Sequence, residues 1–340
     1  MNEEIHQSLY DLYQSLCPSL QQVYEVPLIR HHQKKSDYLY QLHKPFIEED
    51  QKPQLQSLSI YAHYKLLLST DNVLLHYHWL EFQTWFAALG MIWKILCIWT
   101  FKKRGGTIVW TIHNKLPHDR KFLGGNILLM RWMAQRADKL HVHCNYAADE
   151  LSDFLSVERS KFVVIPHPEF PVKQMDQQCA RNELNQRHKL SISESDTLFL
   201  MFGAISAYKQ MVEVVELFRN FPGHARLLAA GSIKYGQQSY GEKLIQAIDE
   251  TPNADIIPHF IADDEVPCFF SAADYVIINN RDFYESGTAR LALSYKKHLL
   301  APNRGCLTEE TNRSDLTLFE SQRELETIIN SLIVSDRGAL

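Results

Sequence analysis

No C-x-x-C spacing links any of the six cysteines of this 340-residue chain, so neither a zinc knuckle nor a disulfide framework is indicated. No G-x-G-x-x-G follows a strand and no G-x-x-x-x-G-K-[ST] occurs, which argues against a dinucleotide oxidoreductase and a P-loop NTPase. Repeats and low-complexity tracts are missing as well. The opening MNEEIHQSLYDLY lacks the basic and apolar regions of a signal peptide, and a cytoplasmic location is expected. Excess charge of one sign is also small: residues 1–170 carry 18 Lys+Arg against 17 Asp+Glu and the remainder 17 against 23, so the halves stand at +1 and −6. Such values exclude a nucleic-acid partner and are compatible with a membrane-facing first half, where 12 of the 16 histidines lie.

What is present is an ordinary globular composition, 45% hydrophobic and 22% charged, in a chain long enough for two cores. Short apolar runs alternate with helical patterns, the signature of α/β layers on mostly parallel sheets. NVLLHYHW, TIVWTIH, KLHVHC and FVVIPHP read as strands of a first Rossmann-like domain, residues 1–170. Residues 171–195 are polar and read as a linker with room for one short helix. TLFLMFG, ARLLAAG, ADIIPHF, DYVIINN and KHLLAPN read as strands of a second such domain over 196–320, and residues 321–340 as a helix that packs back on the first. Two such sheets place their ligand loops at the carboxyl ends of the strands, in a shared cleft.

One run, FQTWFAALGMIWKILCIWTFKK from Phe82, approaches the length of a bilayer span. Its place between two strands demands a crossover helix, with an interfacial helix and a true span as alternatives. The basic residues Lys102, Lys103 and Arg104 follow it, and a peripheral membrane contact is expected there.

Four clusters carry candidate chemistry. TIVWTIHNKLPHD, residues 107–119, runs from a buried strand into His113, Asn114, His118 and Asp119, residues able to take a proton or hold hydroxyls. HYH (His76, His78) and HVH (His141, His143) each set two imidazoles on one strand face. No nearby carboxylate completes a metal site there, Cys144 points to the opposite face, and no metal is expected. FGAISAYKQ places Gly203 and Lys209 at a glycine turn that feeds a helix. Ser286, Gly287 and Thr288 form a helix cap with free amides. Two anion sites in one domain suit a diphosphate.

FGAISAYKQMVEVVELF, HFIADDEVPCFFSAADYVI and RDFYESGTARLALSYKKHLLAPNRG together resemble the donor half of GT-B glycosyltransferases. NVLLHYHWLE and TIVWTIHNKLPHD resemble the acceptor half of bacterial members that build exopolysaccharide or capsule on lipid carriers. The resemblance spans about Val73 to Gly305. It implies a GT-B architecture of two Rossmann-like domains, a nucleotide sugar as donor substrate, a lipid-linked or oligosaccharide acceptor, and no cofactor or metal. In its terms Gly203, Lys209, Glu285, Ser286, Gly287 and Thr288 surround the donor diphosphate. Phe260 and Ile261 line the base, and Asn114 and His78 hold substrate. His113 meets the donor sugar or phosphate, and His118 and Asp119 are candidate bases if the reaction inverts. Many relatives place a glycine after the lysine and a carboxylate pair where Gln210, Phe283 and Leu291 stand. The alternatives are a catalytically inactive GT-B-like binding or scaffold subunit and a GT-B epimerase.

Overall fold

The computed structural model describes residues 2–31, 37–48, 53–68, 71–116 and 122–338, with side chains of the last helix described through residue 334. The chain divides into two compact units, residues 1–169 with 283–285 and residues 170–282 with 286–340.

The first unit holds a six-stranded, all-parallel sheet: β1 Gln22–Val26, β2 Gln54–Ser57, β3 Val73–Tyr77, β4 Thr107–Thr111, β5 Lys139–Val142 and β6 Phe162–Val164, in the order β2-β1-β3-β4-β5-β6. Helices cover parallel strands, so these strands read as continuous apolar runs, and every residue of β3 is buried. The helix Asn2–Leu16 sets Ile5, Leu9, Leu12 and Tyr13 at helical spacing against Val23, Leu74 and Val109.

The crossover between β3 and β4 is the helix Trp85–Lys103, capped by Thr84, whose hydroxyl accepts from Ala87 N. It is long and apolar enough to cross a membrane, yet its place in the sheet is that of the crossover helix expected here. Met91, Cys97, Ile98 and Phe101 are buried, while the opposite stripe stays exposed.

The second unit repeats the plan with β7 Thr197–Phe202, β8 Ala225–Ala230, β9 Ala254–Ile257, β10 Tyr275–Ile277, β11 His298–Pro302 and β12 Leu316–Phe319, in the order β12-β11-β10-β7-β8-β9. All are parallel, so every loop leaving a strand emerges at one end. The order reverses between β7 and β10, and ligand crevices form at such a switch point.

Two further helices complete the second unit. The final helix, Gln322–Gly338, expected to pack back on the first domain, buries Leu325, Ile329 and Ile333 in the core of the second unit, with Phe218, Leu227 and Phe319. The segment read as a linker contains the short helix Gln177–His188, which is capped by Asp176 and is grouped with the second unit. Its polar composition conceals that Arg181 is used inside. The guanidinium is 2% exposed, pairs with Asp274 Oδ2 at 2.7 Å and donates to the carbonyls of Ala272, Ser193 and Glu194. The same Asp274 oxygen accepts from Leu198 N at 2.7 Å, tying the helix to the start of β7. Arg181→Ala therefore removes the cation paired with Asp274 and a buried donor to three carbonyls, although Leu198 N and Gln177 still donate to the carboxylate, and is expected to destabilise the protein by about 3 kcal/mol in urea titrations. A loss under about 1 kcal/mol would contradict this role.

Candidate functional site

The second unit gathers an anion cradle at its switch point. β7 ends at Phe202, and Gly203 turns with φ +92°, a conformation that favours glycine. A Cβ there would lie 2.9 Å from Lys209 Nζ and 3.3 Å from Thr288 Oγ1, so the turn is also kept narrow by what surrounds it. Gly231, at the end of β8, approaches closer still: its Cβ would meet the carbonyl oxygen of Gly203 at 2.2 Å. The backbones of the two loops touch at this point.

Lys209 Nζ donates to the Phe202 carbonyl at 2.9 Å, and the Thr288 hydroxyl donates to the same oxygen at 3.2 Å. Burial pushes the Lys209 ammonium down to about 8. Thr288 stands in the first turn of the helix Gly287–Ser294, whose cap Ser286 accepts from Ala289 N at 3.4 Å. Gly287 is exposed at that N-terminus, where backbone amides and the positive end of the helix dipole favour an anion. Gly203, Lys209, Ser286, Gly287 and Thr288 thus come together.

Phe260 and Ile261 lie in the loop after β9 at the same end of the sheet, the first with its ring 59% exposed and the second buried. Glu285 directly precedes the cap Ser286 in the chain and is partly buried; by contacts it is grouped with the first unit. Phe283 and Leu291, at the positions of the carboxylate pair, are buried apolar side chains.

Gln210 has φ +48° and ψ +42°, left-handed backbone, directly before the helix Met211–Phe218. Glycine adopts this geometry freely, whereas a side chain strains it. Gln210→Gly is expected to raise stability by about 0.5–1 kcal/mol, the left-handed strain less the entropy of a glycine. A loss of stability in chemical denaturation would contradict it.

The first unit gathers a different set, at the carboxyl ends of its own strands. Glu25 of β1 pairs in register with His76 of β3, and Thr111 of β4 with His141 of β5, so alternation sets Glu25, His76, His78, Thr111, His113, His141 and His143 on one face. His43 joins them as the C-cap residue of the short helix Tyr38–Leu42, which Asp37 caps by accepting from Tyr40 N at 2.8 Å. Glu25, His43, His76, His78 and His141 have no exposed surface.

One chain of hydrogen bonds in this face has a fixed direction. The Ile165 carbonyl can only accept, so His141 Nε2–H donates to it at 3.0 Å. Thr111 must then donate to His141 Nδ1 at 2.8 Å and accept from His76 Nε2–H at 2.6 Å. Tyr13 O–H completes the chain by donating to His76 Nδ1 at 2.6 Å.

Burial, reinforced by neighbouring imidazoles, holds His76, His78, His113 and His143 well below the usual histidine range. Burial also pushes His141 down to about 4 and His43 to about 3. It raises the Glu25 carboxyl well above the usual carboxylate range. These imidazoles are therefore neutral near pH 7.

His113 is half-buried, stacked on Trp79 with ring centroids 4.4 Å apart, and its Nε2 lies 3.0 Å from His78 Nδ1. With Asn114 it lines a small open hollow, shared with Trp79, Leu80, Glu81 and Trp110. His78 was expected to hold substrate. It is wholly buried, with Nδ1 3.0 Å from His113 Nε2 and Nε2 2.8 Å from Glu25 Oε1. His118 and Asp119 lie outside the described residues. The sequence also contains Glu25 and His43, which no spacing marked: Glu25 sits in the short, unremarkable QVYEV, and His43 is a lone imidazole at a helix end.

Residues 15–168 match the model of Glycosyltransferase Family 4. No curated protein matches the chain by sequence. Among solved structures, the chain is similar to HepE of Anabaena in complex with UDP-glucose, at 15% identity and TM-score 0.68, over 93% of this chain and 90% of that one. It is also similar to sucrose-phosphate synthase of Thermosynechococcus elongatus, at 14% and 0.62 over 82% and 68%. A glycosyltransferase of Rickettsia africae is similar at 14% and 0.59 over 94% and 89%. The chain has the GT-B fold, as its sequence led one to expect.

Proposed function

We propose that this chain is a glycosyltransferase that takes a sugar from a nucleotide-diphosphate sugar and passes it to a lipid-linked or oligosaccharide acceptor in cell-surface polysaccharide synthesis. The observation that carries the reading is the convergence of Lys209 and Thr288 on the Phe202 carbonyl beside the N-terminus of the helix 287–294. A leaving diphosphate gains charge as the glycosidic bond breaks. An ammonium, a hydroxyl and free helix amides placed beforehand stabilise that charge without a metal at the phosphates. The loop after β4 is assigned to sugar and acceptor. Neutral His113 and Asn114 exchange hydrogen bonds with hydroxyls, and His118 or Asp119 accepts the acceptor proton if the anomer inverts. UDP-sugars are the first donors to try, because HepE is solved with UDP-glucose.

Incubation with UDP-, GDP- and dTDP-sugars tests this. One donor should release nucleoside diphosphate and free sugar slowly without an acceptor, whereas tight binding with no turnover supports the scaffold alternative. Lys209→Met should weaken that donor by about 2–4 kcal/mol. The pH profile follows from the lysine. The charged form binds and a sugar nucleotide stays fully ionised in this range, so affinity is flat below about 8 and falls by up to about tenfold per pH unit above it. Lys209→Met should abolish the slope, and an unchanged slope would contradict the assignment.

The helix Trp85–Lys103 supports peripheral attachment to the inner face of the cytoplasmic membrane. Trp85, Leu89, Ile92, Leu96 and Trp99, spaced four and three apart, form one exposed stripe, with Trp85 75% and Leu89 65% exposed. The basic cluster contributes less than its sequence suggested, because Lys102 is paired with Asp138 at 2.6 Å. Replacing Trp85, Leu89 and Ile92 by Asp should therefore abolish flotation with anionic vesicles, whereas Lys103→Gln should only reduce it. Undiminished flotation of the triple variant would refute the attachment.

A further inference from the structure

The buried face of the first unit contains donors that its hydrogen bonds do not use. Glu25 Oε2 lies 2.9 Å from His43 Nε2 and 3.7 Å from His76 Nδ1, and Glu25 Oε1 lies 2.8 Å from His78 Nε2. Distances of 2.8–2.9 Å usually mean a hydrogen bond, but here the angles do not. Among the described residues, neither Glu25 oxygen, neither His43 nitrogen and not His78 Nε2 has a hydrogen-bond partner. Close approach without alignment leaves these atoms unsatisfied, gathered around a small common space. A wholly buried carboxylate left so costs several kcal/mol unless something charged or strongly donating fills that space.

We propose that Glu25, His43 and His78 bind a divalent transition-metal ion of the zinc class, with His76 as fourth ligand. One ligand atom from each of the four residues lies within 4.8 Å of the others. From Glu25 Oε2 the distances of 2.9 Å to His43 and 3.7 Å to His76 bracket the roughly 3.3 Å edge of a tetrahedron built on bonds of about 2.0–2.1 Å, while His78 Nε2 lies 2.8 Å from the other carboxylate oxygen. Three imidazoles and one carboxylate suit zinc, cobalt or iron and do not suit magnesium or calcium, which take oxygen ligands. His76 Nδ1 accepts from Tyr13 O–H, so its entry requires the phenol to turn aside. Total burial makes the site a structural one, closed to substrate.

The site also bears on the loop after β4. With Nε2 on the ion, the remaining ring proton of His78 is on Nδ1 and is donated to His113 Nε2, 3.0 Å away. That fixes the tautomer of His113, whose own proton then stands on Nδ1. Because the site lies in the first unit, it does not depend on the diphosphate cradle of the second, and it stands whether or not the chain transfers sugars.

Elemental analysis of the full-length protein, expressed with added zinc and dialysed, should find about one such ion per chain. Glu25→Gln, which keeps shape but loses the anionic ligand, and His43→Asn should each lower that content at least tenfold. Removing the ion from wild-type protein with a chelator should lower Tm. Cobalt(II) should restore Tm and give the intense visible bands of a tetrahedral nitrogen and oxygen site. The cobalt spectrum of the wild type needs no variant to fold. Fewer than about 0.1 ion per chain, together with no shift in Tm on adding zinc or cobalt, would overturn the proposal. So would full metal content in both variants.

Discussion

The carbonyl oxygen of Phe202 is the point on which the second unit turns. It is the last acceptor of β7, at the edge where the sheet order reverses, and two side chains satisfy it. Lys209 reaches it from the turn after β7 and Thr288 from the helix after β10, so two loops far apart in sequence meet at one atom. Gly203 and Gly231 make this possible. A side chain at the first would strike Lys209 and Thr288, and one at the second would strike the backbone of the first. The lysine is held before any ligand arrives, at the expense of its charge, since burial brings the ammonium down to about 8. An anion entering the cradle relieves that desolvation, which converts a destabilised residue into binding energy.

The first unit solves the opposite problem. Its switch point is filled by imidazoles and one carboxylate, with no exposed surface at Glu25, His43, His76 and His78. Such a face is tolerable only if every member is neutral, paired or coordinated. Tyr13, His76, Thr111 and His141 meet that requirement through one directed chain of hydrogen bonds ending on a main-chain carbonyl. Glu25 and His43 do not. That difference within a single face separates the residues that hold the fold together from those that await a ligand, with His76 in both groups, because its Nδ1 would exchange Tyr13 for the ion.

Much of this was legible in the sequence. The apolar runs from Val73 onward, the strands before Gly203 and Ser286, and the cap at Ser286 follow from periodicity and turn chemistry, and each stands where the pattern put it. What escaped has physical causes. β1 and β2 are short and carry Gln, Glu and Ser, so alternation gave no signal, and the carboxylate among the histidines went unseen. Arg181 reads as a surface charge until Asp274, distant in sequence, is placed beside it. Gln210 occupies a left-handed turn that one expects of glycine, and Lys102 looked free until Asp138 met it across β4 and β5. Pairings between remote residues are what local sequence cannot carry.

The account rests most heavily on a cradle built for two phosphates rather than one. Calorimetric titration of the wild-type protein with the mono- and diphosphate of the same nucleoside, for uridine, guanosine and thymidine in turn, measures that directly. For one base the diphosphate should bind at least about tenfold more tightly, a difference of about 1.4 kcal/mol that only contacts to the second phosphate can supply. Equal affinities for both members of every pair would contradict the assignment of Lys209, Gly287 and Thr288.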